Sequence, residues 1–365
     1  MQLQEQEALT KLIDRIGSAH AGKRLEMQAH YSAMLLGGHH IHIHMEEFPA
    51  IAWLIKTSLK ATGLWRRAVN NSTNYRIVEH DVPLPHLPSA FEGFRILHLS
   101  DLHIEGMIDK GQALQTALST LDYDICVLTG DFRFRTYGAY DKTLRLMEQL
   151  VKTLHAPYGV TGILGNHDWL EMTPGLEACG IRMLLNETQA LEKGSDAIWL
   201  LGLDDVHYYE TGDLKKTVAA APTDAVRILL VHSPEIIPEA AAAGMDLYLC
   251  GHSHGGQICL PGSQPIITHC RCARSYKAGP WQHDTMRGYT SRGVGTSLFP
   301  IRLFCQPEII IHTLRKAPIE FQTVKANTPI TFKKSPFLTI PEGCPTPSSS
   351  SLRSSTEISP PPLSF

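Results

Sequence analysis

From residue 95 onward, apolar runs with polar ends alternate with helix-like stretches. RILHLSD (95–101), ICVLTGD (125–131), VTGILGNHD (160–168), AIWLLGLDD (197–205), RILLVHS (227–233) and DLYLCGHSH (246–254) read as buried strands. Residues 111–121 and 140–155 between them have helical character. Strands separated by helices imply an α/β domain whose sheet is covered on both faces.

Upstream, residues 5–36 have helical composition until Gly37-Gly38 interrupts it, and His39, His40, His42 and His44 follow as surface histidines without an assigned role. From Glu46 to Val69, Phe48, Ile51, Ala52, Ile55 and Leu59 recur at spacings of three and four beside Lys56, Lys60, Arg66 and Arg67. That pattern predicts an amphipathic helix. With Trp53 and Trp65 it suits a membrane surface, and it suits packing on the main domain equally well. After about Lys334 the chain is rich in Pro and Ser and is expected to be disordered. The division read from the sequence is therefore a helical extension over 1–75, a main domain over 76–318 and a tail over 334–365.

Composition narrows the function classes. A net charge of -3 and a pI near 6.7 give no general attraction to polyanions, so no nucleic-acid partner is expected. Eight cysteines form neither a disulfide framework nor paired zinc spacings, and Cys126 and Cys250 fall in apolar runs as reduced thiols. His269, Cys270 and Cys272 invite a zinc reading, but no second pair completes it. The opening MQLQEQEALTKLIDRIG lacks the basic and apolar regions of a secretory signal, and no apolar run is long enough to span a bilayer. A cytoplasmic protein is expected, with peripheral contact at the inner face of the membrane through residues 46–69 as an open alternative. The sequence leaves the oligomeric state undetermined.

The chemistry-bearing residues cluster at strand ends. Asp101, His103, Asp131, Asn166, His232, His252 and His254 each follow the C-terminal end of an apolar run, where open α/β sheets gather their ligand sites. In GHSH, an extended backbone would point His252 and His254 the same way, towards one site. Asp, His and Asn suit borderline divalent ions such as manganese, iron or zinc. Seven such ligands satisfy two ions if one carboxylate bridges, and ions about 3.5–4 Å apart clamp both oxygens of a phosphoryl displacement.

The blocks DLH, GDF, GNHD, VH and GHSH, in that order, resemble the signature of calcineurin-like metallophosphoesterases. The resemblance implies a four-layered α/β fold, two mixed sheets packed together and flanked by helices. It implies two divalent ions, with manganese favoured among Mn, Fe, Zn and Mg. Asp101, His103, Asp131 and His254 would hold the first, and Asp131 as bridge, Asn166, His232 and His252 the second. His167 resembles the family's active-site histidine, which contacts the phosphate, with Asp168 expected to orient its ring. Arg133 and Arg135 are candidates for substrate phosphate contact.

GHSHGGQICLP (251–261) and SRGVGTSLFPIRLFCQPEIIIHTL (291–314) are similar to a bacterial branch holding membrane-associated phosphodiesterases and a UDP-2,3-diacylglucosamine pyrophosphatase of lipid A synthesis. The second stretch would add a final strand and a loop near the site. The implied function is hydrolysis of a phosphodiester or pyrophosphate by a hydroxide held between two metals, on a lipid- or nucleotide-linked substrate such as UDP-2,3-diacylglucosamine. A soluble small phosphodiester or cyclic nucleotide is the alternative, and a catalytically silent metal-binding scaffold the non-enzymatic one.

Overall fold

The structure, a computed structural model, describes residues 2–37, 49–266, 268 and 270–317. Its strands in chain order are β1 (Arg76–Leu84), β2 (Arg95–Leu99), β3 (Ile125–Leu128), β4 (Val160–Gly162), β5 (Ile181–Met183), β6 (Glu187–Lys193), β7 (Asp196–Gly202), β8 (Val226–Leu230) and β9 (Leu247–Cys250). A short hairpin of β10 (Cys259–Leu260) and β11 (Gln264–Pro265) follows, then β12 (Gly279–His283), β13 (Met286–Thr290) and β14 (Glu308–Lys316).

Two six-stranded mixed sheets result, in the orders β1-β14-β2-β3-β4-β5 and β12-β13-β9-β8-β7-β6. In the first, only β14 against β2 is antiparallel; in the second, only the outer pairs β12 with β13 and β6 with β7 are. Both centres are parallel, so the C-terminal ends of β2, β3 and β4 share one edge, as do those of β8 and β9.

Side-chain alternation makes the layers. On β2, Ile96 joins a core that includes Leu200, Ile228 and Leu249 of the second sheet, whereas Leu97 and Leu99 face a core built with helices. Those helices include α1 (Gln2–Ile16), α2 (Ser18–Gly37), and, beyond α3 (Pro49–Ala61) and α4 (Trp65–Asn71), α5 (Gln112–Leu118), α6 (Asp141–Val151) and α7 (Thr173–Ala178). Leu201, Leu229 and Tyr248 on the outer face of the second sheet meet α8 (Leu214–Ala219) and α9 (Ile237–Ala242). Helix, sheet, sheet, helix is the four-layered order expected.

Leu12, Ile16 and Ala21 of α1 and α2 are buried in the core that Leu97 and Leu99 line, so these helices of the 1–75 segment pack against the main domain. One expectation changes. The amphipathic segment is two helices, because Gly63 at φ +73° turns the chain between α3 and α4. Leu59 and Ala68 of these helices pack on Ile301 and Leu303, while Trp53 and Leu54 stay 67% and 59% exposed. Among the described residues, no helix is long and apolar enough to cross a membrane, and the seven cysteines are unpaired. The histidines at 39–44, His269 and the 334–365 tail lie outside the described residues.

Candidate metal centre

Each strand end becomes a site through an abrupt change of backbone. Asp101, His103, Asp131, His252 and His254 all have φ between +41° and +67°, a region that non-glycine residues seldom enter. The GHSH segment is thus not extended after β9, and the same-side argument for His252 and His254 fails. Five strained residues within one cluster are held by their surroundings, as functional sites often are. Close packing of turns is part of that holding. A Cβ on Gly165 would lie 2.2 Å from Asp131 Oδ1, and one on Gly251 1.9 Å from Ser100 Oγ.

Backbone carbonyls set three of the imidazoles. His103 Nδ1 donates to Arg133 O at 2.7 Å, His232 Nδ1 to Thr129 O at 2.7 Å and His167 Nδ1 to Phe134 O at 2.8 Å. A carbonyl only accepts, so each ring keeps its Nδ1 proton and turns Nε2 to the centre, the second-partner arrangement of metal-binding histidines. His103 Nε2 lies 3.1 Å from His254 Nε2 and 3.6 Å from Asp131 Oδ2, and His232 Nε2 lies 3.3 Å from that same oxygen. Asn166 Oδ1 is 2.9 Å from both His232 Nε2 and His252 Nδ1.

The donor atoms fall into three groups, Asp101 with His103 and His254, Asp101 with Asp131 and His232, and His103 with Asp131 and His167, each mutually within 4.8 Å. Asp131 belongs to two of them. Buried oxygen and imidazole donors with preset tautomers fit divalent ions of the manganese, iron and zinc kind.

Close approach of carboxylates and imidazoles dominates the electrostatics of the centre. Burial raises the Asp131 carboxyl, but His232 and His167 outweigh it and hold it well below the carboxylate range. Burial lowers His232, yet Asp131 and then Asp101 lift it to about 10. Burial depresses His103 and His254, and their mutual proximity to other imidazoles adds to it. A doubly protonated His232 donates to both Thr129 O and Asn166 Oδ1, so an ion entering there must displace its Nε2 proton.

Three further candidates take places that the sequence did not foresee. Asp168 does not orient the His167 ring, whose Nδ1 is taken by Phe134 O. Its carboxylate instead accepts the backbone N–H groups of Asp131, Gly165, Phe132 and Arg133, tying the β3 and β4 ends together. Arg133 is buried beneath Trp169 and donates to Tyr137 O and Gly138 O, which makes it a brace for its own loop rather than an open phosphate contact. Arg135 is exposed, against Tyr137. Buried Arg302 donates to His254 O and His254 Nδ1, and Arg292 pairs with Glu308.

The sequence also missed α2's part in the site. Arg24, fully buried over the Tyr209 ring, donates to Asp168 O, and Gln28 accepts from Leu170 N. The helix thus buttresses the GNHD turn from behind. No spacing rule links Arg24 to Asp168, and the helix pattern signals only a buried face.

A doubly layered α/β core with Asp, Asn and His converging from five strand ends defines a metal-dependent phosphoesterase. Residues 94–256 match the family model of calcineurin-like phosphoesterases. An uncharacterized metallophosphoesterase of Bacillus subtilis, YkuE, is 31% identical over 249 residues, 65% of this chain and 84% of its own. Escherichia coli phosphodiesterase YaeI is 27% identical over 59% of this chain and 80% of its own. A bovine transmembrane protein with a metallophosphoesterase domain is 28% identical over 74% of this chain and 63% of its own. The chain belongs to the calcineurin-like metallophosphoesterases and is a phosphoester hydrolase.

Proposed function

We propose that the protein hydrolyses phosphodiester or pyrophosphate bonds at two divalent ions, manganese favoured, held by Asp101, His103, Asp131 and His254 on one side and Asp131, Asn166, His232 and His252 on the other. The observation that carries this reading is Asp131, whose carboxylate lies within reach of imidazoles from both sets. Bound ions supply Lewis acidity that activates water and neutralises the phosphoryl oxygens. The chain's part is to hold these donors in fixed tautomers and to exclude bulk water around them. His167, with Nδ1 on Phe134 O, keeps Nε2 3.9 Å from Asp131 Oδ2, beside the place a phosphoryl oxygen would occupy. As imidazolium, with Nδ1–H on Phe134 O, it serves there through Nε2–H as hydrogen-bond donor and proton source for the leaving oxygen.

The substrate we infer is lipid-linked. Exposed Trp53 and Leu54 stand on α3, whose inner face packs with Ile301 and Leu303 around Arg302, and Arg302 holds His254. An aromatic and aliphatic pair beside Lys56 and Lys60 suits the boundary of an anionic membrane, and the support runs directly into the centre. That favours peripheral membrane contact and an acylated phosphoester such as UDP-2,3-diacylglucosamine over a small soluble diester. A cytoplasmic site at the membrane's inner face is part of the same reading.

Metal-stripped protein assayed with bis-p-nitrophenyl phosphate, with manganese, zinc and magnesium returned singly, is expected to recover turnover that His232→Ala lacks. Turnover equal in the presence of a strong chelator would sink the two-ion reading. Vesicles of anionic lipid are expected to retain the wild type and release a Trp53→Ser, Leu54→Ser variant. Equal retention would remove the support for a lipid-linked substrate.

A further inference from the structure

Besides His167, a second histidine outside the ligand set touches the centre. His207 lies in the segment between β7 and α8, and its ring centroid is 4.4 Å from that of His252. Its Nδ1 sits 2.7 Å from Glu235 Oε1, and both side chains are 12% exposed, recessed yet open. Glu235 follows His232 by three residues, and the same oxygen accepts Arg271 N at 2.9 Å. Burial pushes the Glu235 carboxyl up, but the His207 hydrogen bond and charge outweigh it and keep the group ionised. An ionised carboxylate accepts, so Nδ1 donates and Nε2 is the nitrogen left for another partner.

The segment carrying His207 is built rigidly. Asp205 Oδ2 accepts the backbone N–H groups of Tyr208 and Tyr209, and Tyr31 of α2 stacks on Tyr208 at 3.8 Å. His167 lies on the far side, its ring 4.7 Å from that of His103. Two carbonyl- or carboxylate-anchored imidazoles therefore flank the centre, one by each proposed ion.

We propose that His207, oriented by Glu235, is a substrate-contacting residue whose imidazolium, with Nδ1–H on Glu235, donates its Nε2–H to a phosphate oxygen on the Asn166 and His252 side. The proposal rests on the phosphoesterase reading of this same centre and adds to it a residue outside the ligand set. Glu235 is a positioning residue that fixes the ring.

The test uses the full chain loaded with manganese, inorganic phosphate as probe in a titration calorimeter, and bis-p-nitrophenyl phosphate for kinetics. His207→Ala is expected to weaken phosphate binding roughly ten-fold and to raise KM by a similar factor. Metal content and melting temperature stay unchanged, and kcat stays within about two-fold. Glu235→Gln, which keeps its shape, moves both constants the same way by less and decides the matter if His207→Ala misfolds. Unchanged phosphate affinity in the variants, metal loss in His207→Ala, or no phosphate binding by the wild type overturns the proposal. A wild type that binds phosphate through His207 but does not turn over the diester would instead overturn the hydrolytic reading and leave this contact standing.

Discussion

At the residue scale, histidines of the same centre do different work because their second nitrogens have different partners. His167 and His232 both anchor Nδ1 on a carbonyl, but His232 alone is pinned between Asp131 and Asn166. His167→Asn is therefore expected to lower kcat about 10²–10⁴-fold with bound metal unchanged. Metal analysis beside kinetics checks it, and metal lost in step with activity would make His167 a ligand, as its grouping with His103 and Asp131 allows. His232 is raised to about 10, so an ion that takes its Nε2 must displace a proton. Manganese affinity should accordingly climb from pH 7 to 9, by up to about ten-fold per unit if one proton is displaced. Calorimetry in buffers of different ionisation enthalpy reads the proton directly, and zero release would contradict the assignment.

At the element scale, α2 is the unexpected support. Arg24 and His20 reach Asp204, which burial raises but Arg24 and His20 bring down to about 2. A carboxyl lowered from 3.8 contributes stability that is complete above 3.8 and lost as pH falls towards 2. Arg24→Ala takes the guanidinium from the buried Asp204 carboxylate, which keeps His20 and Thr211, and frees Asp168 O, so a loss of roughly 1–3 kcal/mol is expected, with activity falling as the GNHD turn loosens. Urea unfolding at pH 7 measures the first, and a change under about 1 kcal/mol would show that water replaces the guanidinium. The elements that read clearly in sequence were the central strands β2, β3, β7, β8 and β9, whose continuous apolar runs follow from burial on both faces. β5 has only three residues, and β1 and β6 alternate with many polar positions, so no apolar run marks them. Within the centre, Asp, His and Asn at strand ends were legible because their chemistry is local. Arg133 and Asp168 were not, because their use as braces depends on which loops fold over them. The same limit hid His207 and Glu235, which meet only when two strand-end loops converge.

At the scale of the whole molecule, the two sheets do not meet through hydrocarbon alone. His80 of β1, His312 of β14 and His98 of β2 form a row, with Nδ1 to Nδ1 at 2.9 Å between the first two and Nε2 to Nδ1 at 3.2 Å between the last two. His98 Nε2 then meets Thr129 Oγ1 at 2.9 Å, and Tyr289 from the second sheet packs against His80 and His312. Each neutral ring can donate once and accept once, so the row satisfies its nitrogens only while uncharged. Burial lowers all three, His98 to about 3 and His312 well below its ordinary value, the latter helped by its histidine neighbours. In the unfolded chain these rings take up protons near 6.5, so the unfolded state binds more protons between 6.5 and about 3. Stability must therefore fall as pH drops through that window, by up to about 1.4 kcal/mol per unit for each fully buried ring. Replacing both His98→Leu and His312→Leu removes two titrating groups from an apolar layer, at the cost of the partners of His80 Nδ1 and Thr129 Oγ1. Because Thr129 O also anchors His232, both proteins are unfolded with manganese held in excess, and the difference in urea midpoint then reads the two buried rings. That difference should widen in the variant's favour from pH 7 to pH 5, and parallel pH profiles would mean that the rings are already charged, or reached by water, in the folded protein.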